Sequence, residues 1–192
     1  MLYSSMRVIG LAGRKYAGKD TAASALLVRG WARLAFADPL RDAVKALFML
    51  SDADCTNPVS KERPGPMGVS YRRAAQILGT EVFRQRLAEL WPEAASLGCN
   101  FWVEHLRRRV RERSATAPGV VVTDVRFPNE VALIKQMGGI VVYVERPGNL
   151  GGDAHESESH DLRALADYIL RNDSSFEDLH AEFLALLRDA PK

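Results

Sequence analysis

The sequence is poor in the residues that staple a fold covalently or through a metal. Cys55 and Cys99 are its only two thiols, and they form neither a C-x-x-C pair nor a cluster with histidine, which argues against a disulfide framework and a structural zinc site. No apolar run approaches the roughly 20 residues that a membrane helix needs. The stretch from Met1 to Arg7 lacks the charged start and apolar region of a signal peptide. A soluble, cytoplasmic protein is therefore expected, with Met6 as an alternative start just ahead of the first strand. Net charge is small too: 26 basic residues against 24 acidic ones leave a formal +2, so no general electrostatic pull toward nucleic acid or membrane exists and any anion site has to be local. No internal repeat or low-complexity tract is present. What is there suits one domain over residues 1–192, whose 47% hydrophobic content is enough for a substantial core.

One stretch has the chemistry for a local anion site. Gly13-Arg14-Lys15-Tyr16-Ala17-Gly18-Lys19-Asp20-Thr21 follows the apolar run Val8-Ile9-Gly10-Leu11-Ala12 and opens a helix-like segment at residues 21–29. The spacing G-x-x-x-x-G-K between a buried strand and a helix is that of a phosphate-binding loop: glycines let the backbone curl, N–H groups line the curl, and Lys19 reaches the outer phosphates. Asp20 stands where a hydroxyl residue normally holds Mg²⁺, with Thr21 one step later. A carboxylate beside a triphosphate is repelled unless it meets a metal or another cation, so Asp20 is expected to help hold Mg²⁺ while Thr21 contacts the α-phosphate.

The rest of the chain alternates strands and helices. A short strand at residues 33–37 stops at Asp38-Pro39, which can cap and open a helix bearing Leu40, Val44, Leu47 and Phe48. Residues 51–70, punctuated by proline and glycine, read as a long loop. Ser70 is expected to cap a helix that ends at Gly79, and Thr80 another carrying Phe83, Leu87 and Leu90. Asn100 precedes a helix with Trp102, Leu106 and Val110 on one stripe; its arginines 107, 108, 109, 111 and 113 read as a solvated face, because Glu104 and Glu112 are interspersed. The run at residues 119–124 reads as a buried parallel strand ending in Asp124, beside the loop strand and so near the metal. A helix closing at Gly138-Gly139, a strand at 140–144, a polar flap from Glu145 to Asp161, a short strand at 168–170 and a last helix boxed by Ser174 and Glu177 complete the chain. The spacing of His155, Glu156, Glu158 and His160 fits no zinc pattern.

This alternation predicts an α/β, three-layer fold: a mainly parallel sheet of about five strands with helices on both faces and ligands at the strand C-terminal ends. A helical acceptor-binding insertion over about 38–113 and a lid over about 146–160 are expected to be added to this P-loop core. The parts of a phosphoryl-transfer site are present, and Val125 occupies the place where motor ATPases carry a water-positioning Glu, which a kinase does not need.

Several blocks, in order, resemble the bacteriophage-type deoxynucleoside monophosphate kinases. They are Gly13 to Thr21, Phe36-Ala37-Asp38-Pro39-Leu40, Gln76 to Arg84, Asn100-Phe101-Trp102-Val103, Thr123 to Glu130, and His155-Glu156-Ser157-Glu158. The resemblance spans nearly the whole chain and implies transfer of the ATP γ-phosphate to a deoxynucleoside monophosphate. It further implies that Gly13, Lys15, Ala17, Gly18, Lys19, Asp20 and Thr21 hold ATP, while the charge argument on Asp20 and the strand-end place of Asp124 put those two on Mg²⁺. By the same resemblance Phe36, Asp38, Arg73, Gln76, Thr80, Arg84, Asp124, Arg126 and Glu130 are expected to bind the acceptor, and Lys19, Arg126 and Arg146 to be catalytic. Arg41 stands where many relatives have Lys. A phosphomevalonate kinase of the animal type looks similar at the Gly-Lys-Asp turn, and a nucleotide-dependent DNA-binding or packaging protein using the arginine-rich helix is the rival of another class. No membrane and no stable nucleic-acid partner are expected; monomer and homodimer fit the sequence equally.

Overall fold

Five consecutive residues of the first strand, Val8 to Ala12, are buried, so the strand has to be covered on both faces. A computed structural model describes residues 7–113, 116–149 and 161–190. In chain order it contains β1 (Arg7–Ala12), α1 (Lys19–Leu27), β2 (Ala32–Leu34), α2 (Asp38–Leu47), α3 (Asp52–Thr56), α4 (Tyr71–Gln76), a π-helical segment (Ile77–Arg86), α5 (Leu87–Leu90), α6 (Phe101–Arg113), β3 (Gly119–Val125), α7 (Pro128–Gln136), β4 (Ile140–Glu145), β5 (Tyr168–Arg171) and α8 (Phe176–Asp189). The chain divides into two compact units, one of residues 1–35 and 106–192, the other of residues 36–105.

In the first unit all five strands are parallel, in the order 2-3-1-4-5. One face is packed by α1 and α8, where Ile9, Leu11, Val121, Val142 and Val144 meet Ala22, Leu26, Leu179 and Phe183. On the opposite face Gly10 lies against Ile134 of α7. The expected three-layer α/β sheet is thus present. β1 is central, flanked by β3 and β4, so the strand order reverses beside it; in open parallel sheets that is where ligands bind, at the strand C-terminal ends. β2 is shorter than the expected 33–37: its pairing stops at Leu34, and the carbonyl of Ala35 instead accepts from the Arg109 guanidinium at 3.2 Å. The cap of α8 is Ser175, which accepts from the Asp178 N–H at 3.1 Å, one residue beyond the expected Ser174 and Glu177.

The second unit corrects three expectations. Residues 51–70 are not one long loop. Ser51 and Asp54 exchange hydrogen bonds in a capping box that starts α3, Asn57 accepts from the N–H groups of Val59 and Ser60, and Pro64 bridges Ser70 across a tight turn. Gly79 does not end a helix and Thr80 does not start one: after α4, capped by Ser70 as expected, the chain continues into the π-helical turns. Gly79 is buried there with its α-carbon facing Leu40, and its carbonyl accepts from the Trp102 indole at 3.0 Å. Asp38 is the first residue of α2 rather than its cap, and pairs with Arg41 at 2.6 Å.

Candidate active site

The loop after β1 has the curl that its glycines predict. Gly13 takes φ +137 and a Cβ there would run into the carbonyl oxygen of Val144 on β4. Gly18 takes φ +101, and a Cβ there would meet the amide of Asn172. Side chains cannot adopt either position without strain. Between them the Ala17 N–H closes a turn on the Arg14 carbonyl at 3.1 Å, and Tyr16 is held at φ +64 with Lys15 over its ring. Lys19 folds back, its ammonium donating to the carbonyls of Gly13 at 2.7 Å and Arg14 at 2.8 Å. Gly18 offers α1 no side-chain cap, so the helix end presents N–H groups and a positive dipole end, the arrangement that receives a phosphate.

Asp20 is in the first turn of α1 and exposed, while Thr21 is half-buried with its carbonyl accepting from Ser24 at 2.7 Å and meeting His180 at 2.8 Å. β3 lies beside β1, as Asp124 required. The register shifts between Gly10, opposite Val122, and Ala12, opposite Val125, so β3 carries an extra residue where Thr123 and Asp124 stand. A bulge beside a functional loop re-aims a side chain, and here it places a half-buried carboxylate at the strand end. Asp20 and Asp124 are carboxylates, hard oxygen donors of the kind that suits Mg²⁺ shared with phosphates and water. The exposed Arg126 follows; its N–H and that of Phe127 donate to the fully buried Glu130 at 2.7 and 3.2 Å. Glu130 therefore shapes the turn that carries Arg126.

A cleft of about 570 Å³ opens beside the loop, lined by Arg14 and Ala17, by Tyr143 to Asn149, and by Asp161, Arg163 and Arg171. Arg146 is on its wall. Burial raises the Tyr143 phenol above its ordinary pKa, so it remains neutral in this partly basic surrounding. The flap expected from Glu145 to Asp161 is described at residues 145–149 and 161; His155, Glu156, Glu158 and His160 lie outside the described residues.

The remaining candidates are in the second unit. Phe36 and Asp38 are buried, Gln76 ends α4, and Thr80 and Arg84 sit in the π-helical segment, Thr80 buried and Arg84 half-exposed. Arg73 is exposed, 3.5 Å from Glu81. Burial works against the charge of Arg41, but the hydrogen bond and charge of Asp38 outweigh it and leave the guanidinium above its usual pKa. Two residues that sequence reasoning missed are Asn149 and Asn172, whose amides donate to the carbonyls of Lys15 at 2.7 Å and Ala17 at 2.8 Å. Both follow strands β4 and β5, so the strand-end rule that singled out Asp124 would have found Asn172 as well.

A parallel sheet whose central strand runs through a glycine-bearing loop into an uncapped helix defines a P-loop nucleotide-binding protein. Solved structures agree on the fold: TT1252 from Thermus thermophilus has TM-score 0.54 at 20% identity, covering 98% of this chain and all of its own, and shikimate kinase from Aquifex aeolicus has TM-score 0.51 at 15% identity over 95% and 96% of the two chains. Sequence comparison resolves the group. The family model described as deoxynucleotide monophosphate kinase matches residues 66–183. A candidate deoxynucleotide monophosphate kinase of Acanthamoeba polyphaga mimivirus is 36% identical over 96% of this chain and 98% of its own length, and the deoxynucleotide monophosphate kinase of Escherichia phage RB69 is 28% identical over 62% of this chain and 45% of its own. The chain belongs to the deoxynucleotide monophosphate kinase family.

Proposed function

We propose that the protein transfers the γ-phosphate of ATP to a deoxynucleoside 5′-monophosphate, releasing ADP and the diphosphate. The observation that carries this reading is the 13–21 loop, folded with its helix N-terminus uncapped, in a chain of this family. An acceptor phosphate oxygen attacks the γ-phosphorus, and the bond from that phosphorus to the β–γ bridging oxygen breaks with its electron pair leaving on ADP. Little covalent work falls to the protein, so positioning and charge stabilisation decide the rate. The loop holds the donor, and Lys19, Arg126 and Arg146 are assigned to the charge that spreads over the transferring group. Phe36, Asp38, Arg73, Gln76, Thr80 and Arg84 are assigned to the acceptor, with Arg84 and Arg126 on its phosphate. Asp20 and Asp124 are the residues that would hold Mg²⁺, which neutralises phosphate oxygens when bound. Val125 is buried directly after Asp124, so no carboxylate follows that would position water, which suits transfer to an acceptor over hydrolysis.

A coupled assay of ADP release across the deoxynucleoside monophosphates, their ribonucleotide counterparts and phosphomevalonate tests the reading. Turnover with at least one deoxynucleotide and none with phosphomevalonate is expected; the reverse would sink it. Replacing Asp20 by Ala is expected to weaken the Mg²⁺ dependence of nucleotide binding, and an unchanged dependence would remove Asp20 from the metal site.

A further inference from the structure

A phosphate loop works by turning its N–H groups inward, which turns carbonyls outward, and those carbonyls need partners of their own. In this chain Lys19 serves Gly13 and Arg14, and the α1 ladder serves Gly18 through Ala22 at 2.9 Å. The carbonyls of Lys15 and Ala17 are served from outside the loop, by the side-chain amides of Asn149 and Asn172. A carbonyl only accepts, so in both cases the amide nitrogen faces the loop.

The two amides are themselves fixed by the sheet. The Asn172 N–H donates to the Glu145 carbonyl at 2.7 Å, tying the end of β5 to the end of β4. The Asn149 N–H closes a turn on the Arg146 carbonyl at 3.1 Å, and its carbonyl meets the Arg14 guanidinium at 3.5 Å. Gly18 leaves its Cβ position open to the Asn172 amide, which explains why a side chain is excluded there on two counts. Asn149 also lines the cleft that Arg14 and Ala17 share.

We propose that Asn149 and Asn172 are positioning residues for the phosphate donor: they pin the outward carbonyls of the 13–19 loop, so that its N–H groups are set for the triphosphate before it arrives. Pre-set dipoles avoid reorganisation on binding, which is where such an arrangement gains its effect. The inference rests on the kinase reading only in naming the ligand as a nucleoside triphosphate.

The test is titration calorimetry of a non-hydrolysable ATP analogue against the full chain, with KM for ATP and for the acceptor measured in parallel. Asn172→Ala and Asn149→Ala are each expected to weaken analogue binding and raise KM for ATP by about ten-fold, the effect of one hydrogen bond of ordinary worth. KM for the acceptor should stay within about two-fold, since nothing in the clamp is assigned to it. Asn172→Asp keeps the shape but sets oxygen against oxygen, and should bind worse than the alanine variant. Should Asn172→Ala fail to fold, Asn149→Ala, in a surface turn, carries the test. Analogue affinity equal to wild type in the soluble variants, or Asn172→Asp binding no worse than alanine, overturns the proposal. Absence of turnover on every monophosphate would overturn the kinase reading while leaving the calorimetric result on the clamp intact.

Discussion

Lys19 is the residue whose geometry is most completely specified. Its ammonium is held over the loop by two carbonyls, at 2.7 and 2.8 Å, so the charge is in place without a search through rotamers. Lys19→Met removes both the cation and the two bonds that brace the turn. We expect kcat/KM for ATP to fall by about 10²- to 10³-fold, as when one pre-set charge-stabilising donor is lost; steady-state kinetics would check it, and a loss below ten-fold would mean that the charge on the transferring group is met elsewhere. Gly13 has a different sensitivity. Gly13→Ala combines a strained φ with a collision against backbone of the buried strand β4, which cannot move aside as a side-chain tip could. A destabilisation of about 3 kcal/mol in urea unfolding is expected, from strain of about 1–2 kcal/mol plus the displaced strand. Glycine at positions 13 and 18 was legible in the motif. Which atoms enforce it was not, because Val144 and Asn172 are far away in sequence.

Among the elements, the π-helical segment is where sequence reasoning and structure part. Gly79 and Thr80 carry the local signals of a helix end and a helix start, yet both are buried inside continuous turns. Tertiary packing overrides the local preference: Leu40 fills the space over Gly79, and the Trp102 indole takes the Gly79 carbonyl. Strands β1, β3 and β4, by contrast, were readable to within a residue or so, since runs of buried valine and isoleucine need no partner to be recognised. Trp102→Phe tests the override. It keeps the aromatic cluster with Phe83 and Phe101 but removes the indole bond to the Gly79 carbonyl. The expected cost is about 1–2 kcal/mol in denaturant unfolding, and no change in stability would show that the indole bond does not hold the segment. The α3 cap makes a pH prediction. Hydrogen bonds from the Ser51 hydroxyl and N–H lower the Asp54 pKa below its ordinary value. A carboxylate lowered on folding stabilises the cap fully above the unfolded value of about 3.9 and loses that contribution as pH falls through the lower folded value. Carbon-detected NMR titration should find Asp54 titrating below the ordinary aspartate value, with local fraying of Asp52–Thr56 only under more acidic conditions.

For the molecule as a whole, near-balanced charge and the fate of the arginine-rich helix bear on the rival reading as a DNA-binding protein. Arg107 donates to Gln136 at 3.1 Å and Arg109 to the Ala35 carbonyl, so these two guanidinium groups are engaged within the fold. The exposed Arg108, Arg111 and Arg113 share their helix with Glu104 and Glu112. Salt-dependent duplex binding is therefore not expected in fluorescence anisotropy, and a steep salt slope would revive that reading. The division of the chain into two units leads to a sharper prediction about which part meets which substrate. The residues assigned to ATP, from Gly13 to Thr21, belong to the first unit, and most of those assigned to the acceptor, from Phe36 to Arg84, belong to the second. A ligand stabilises what it contacts, by about 2.7 kcal/mol at a hundred-fold excess over its Kd, and hydrogen exchange reads that stabilisation locally. An ATP analogue alone should slow exchange in peptides covering 13–21 and the Asn149 and Asn172 segments, and a deoxynucleoside monophosphate alone should slow it in peptides covering Phe36 to Leu40 and Gln76 to Arg84. Protection of the second unit by the analogue and of the loop by the monophosphate would reverse the assignment of donor and acceptor. Protection of neither segment by the monophosphate would remove Phe36, Asp38, Gln76, Thr80 and Arg84 from the acceptor site.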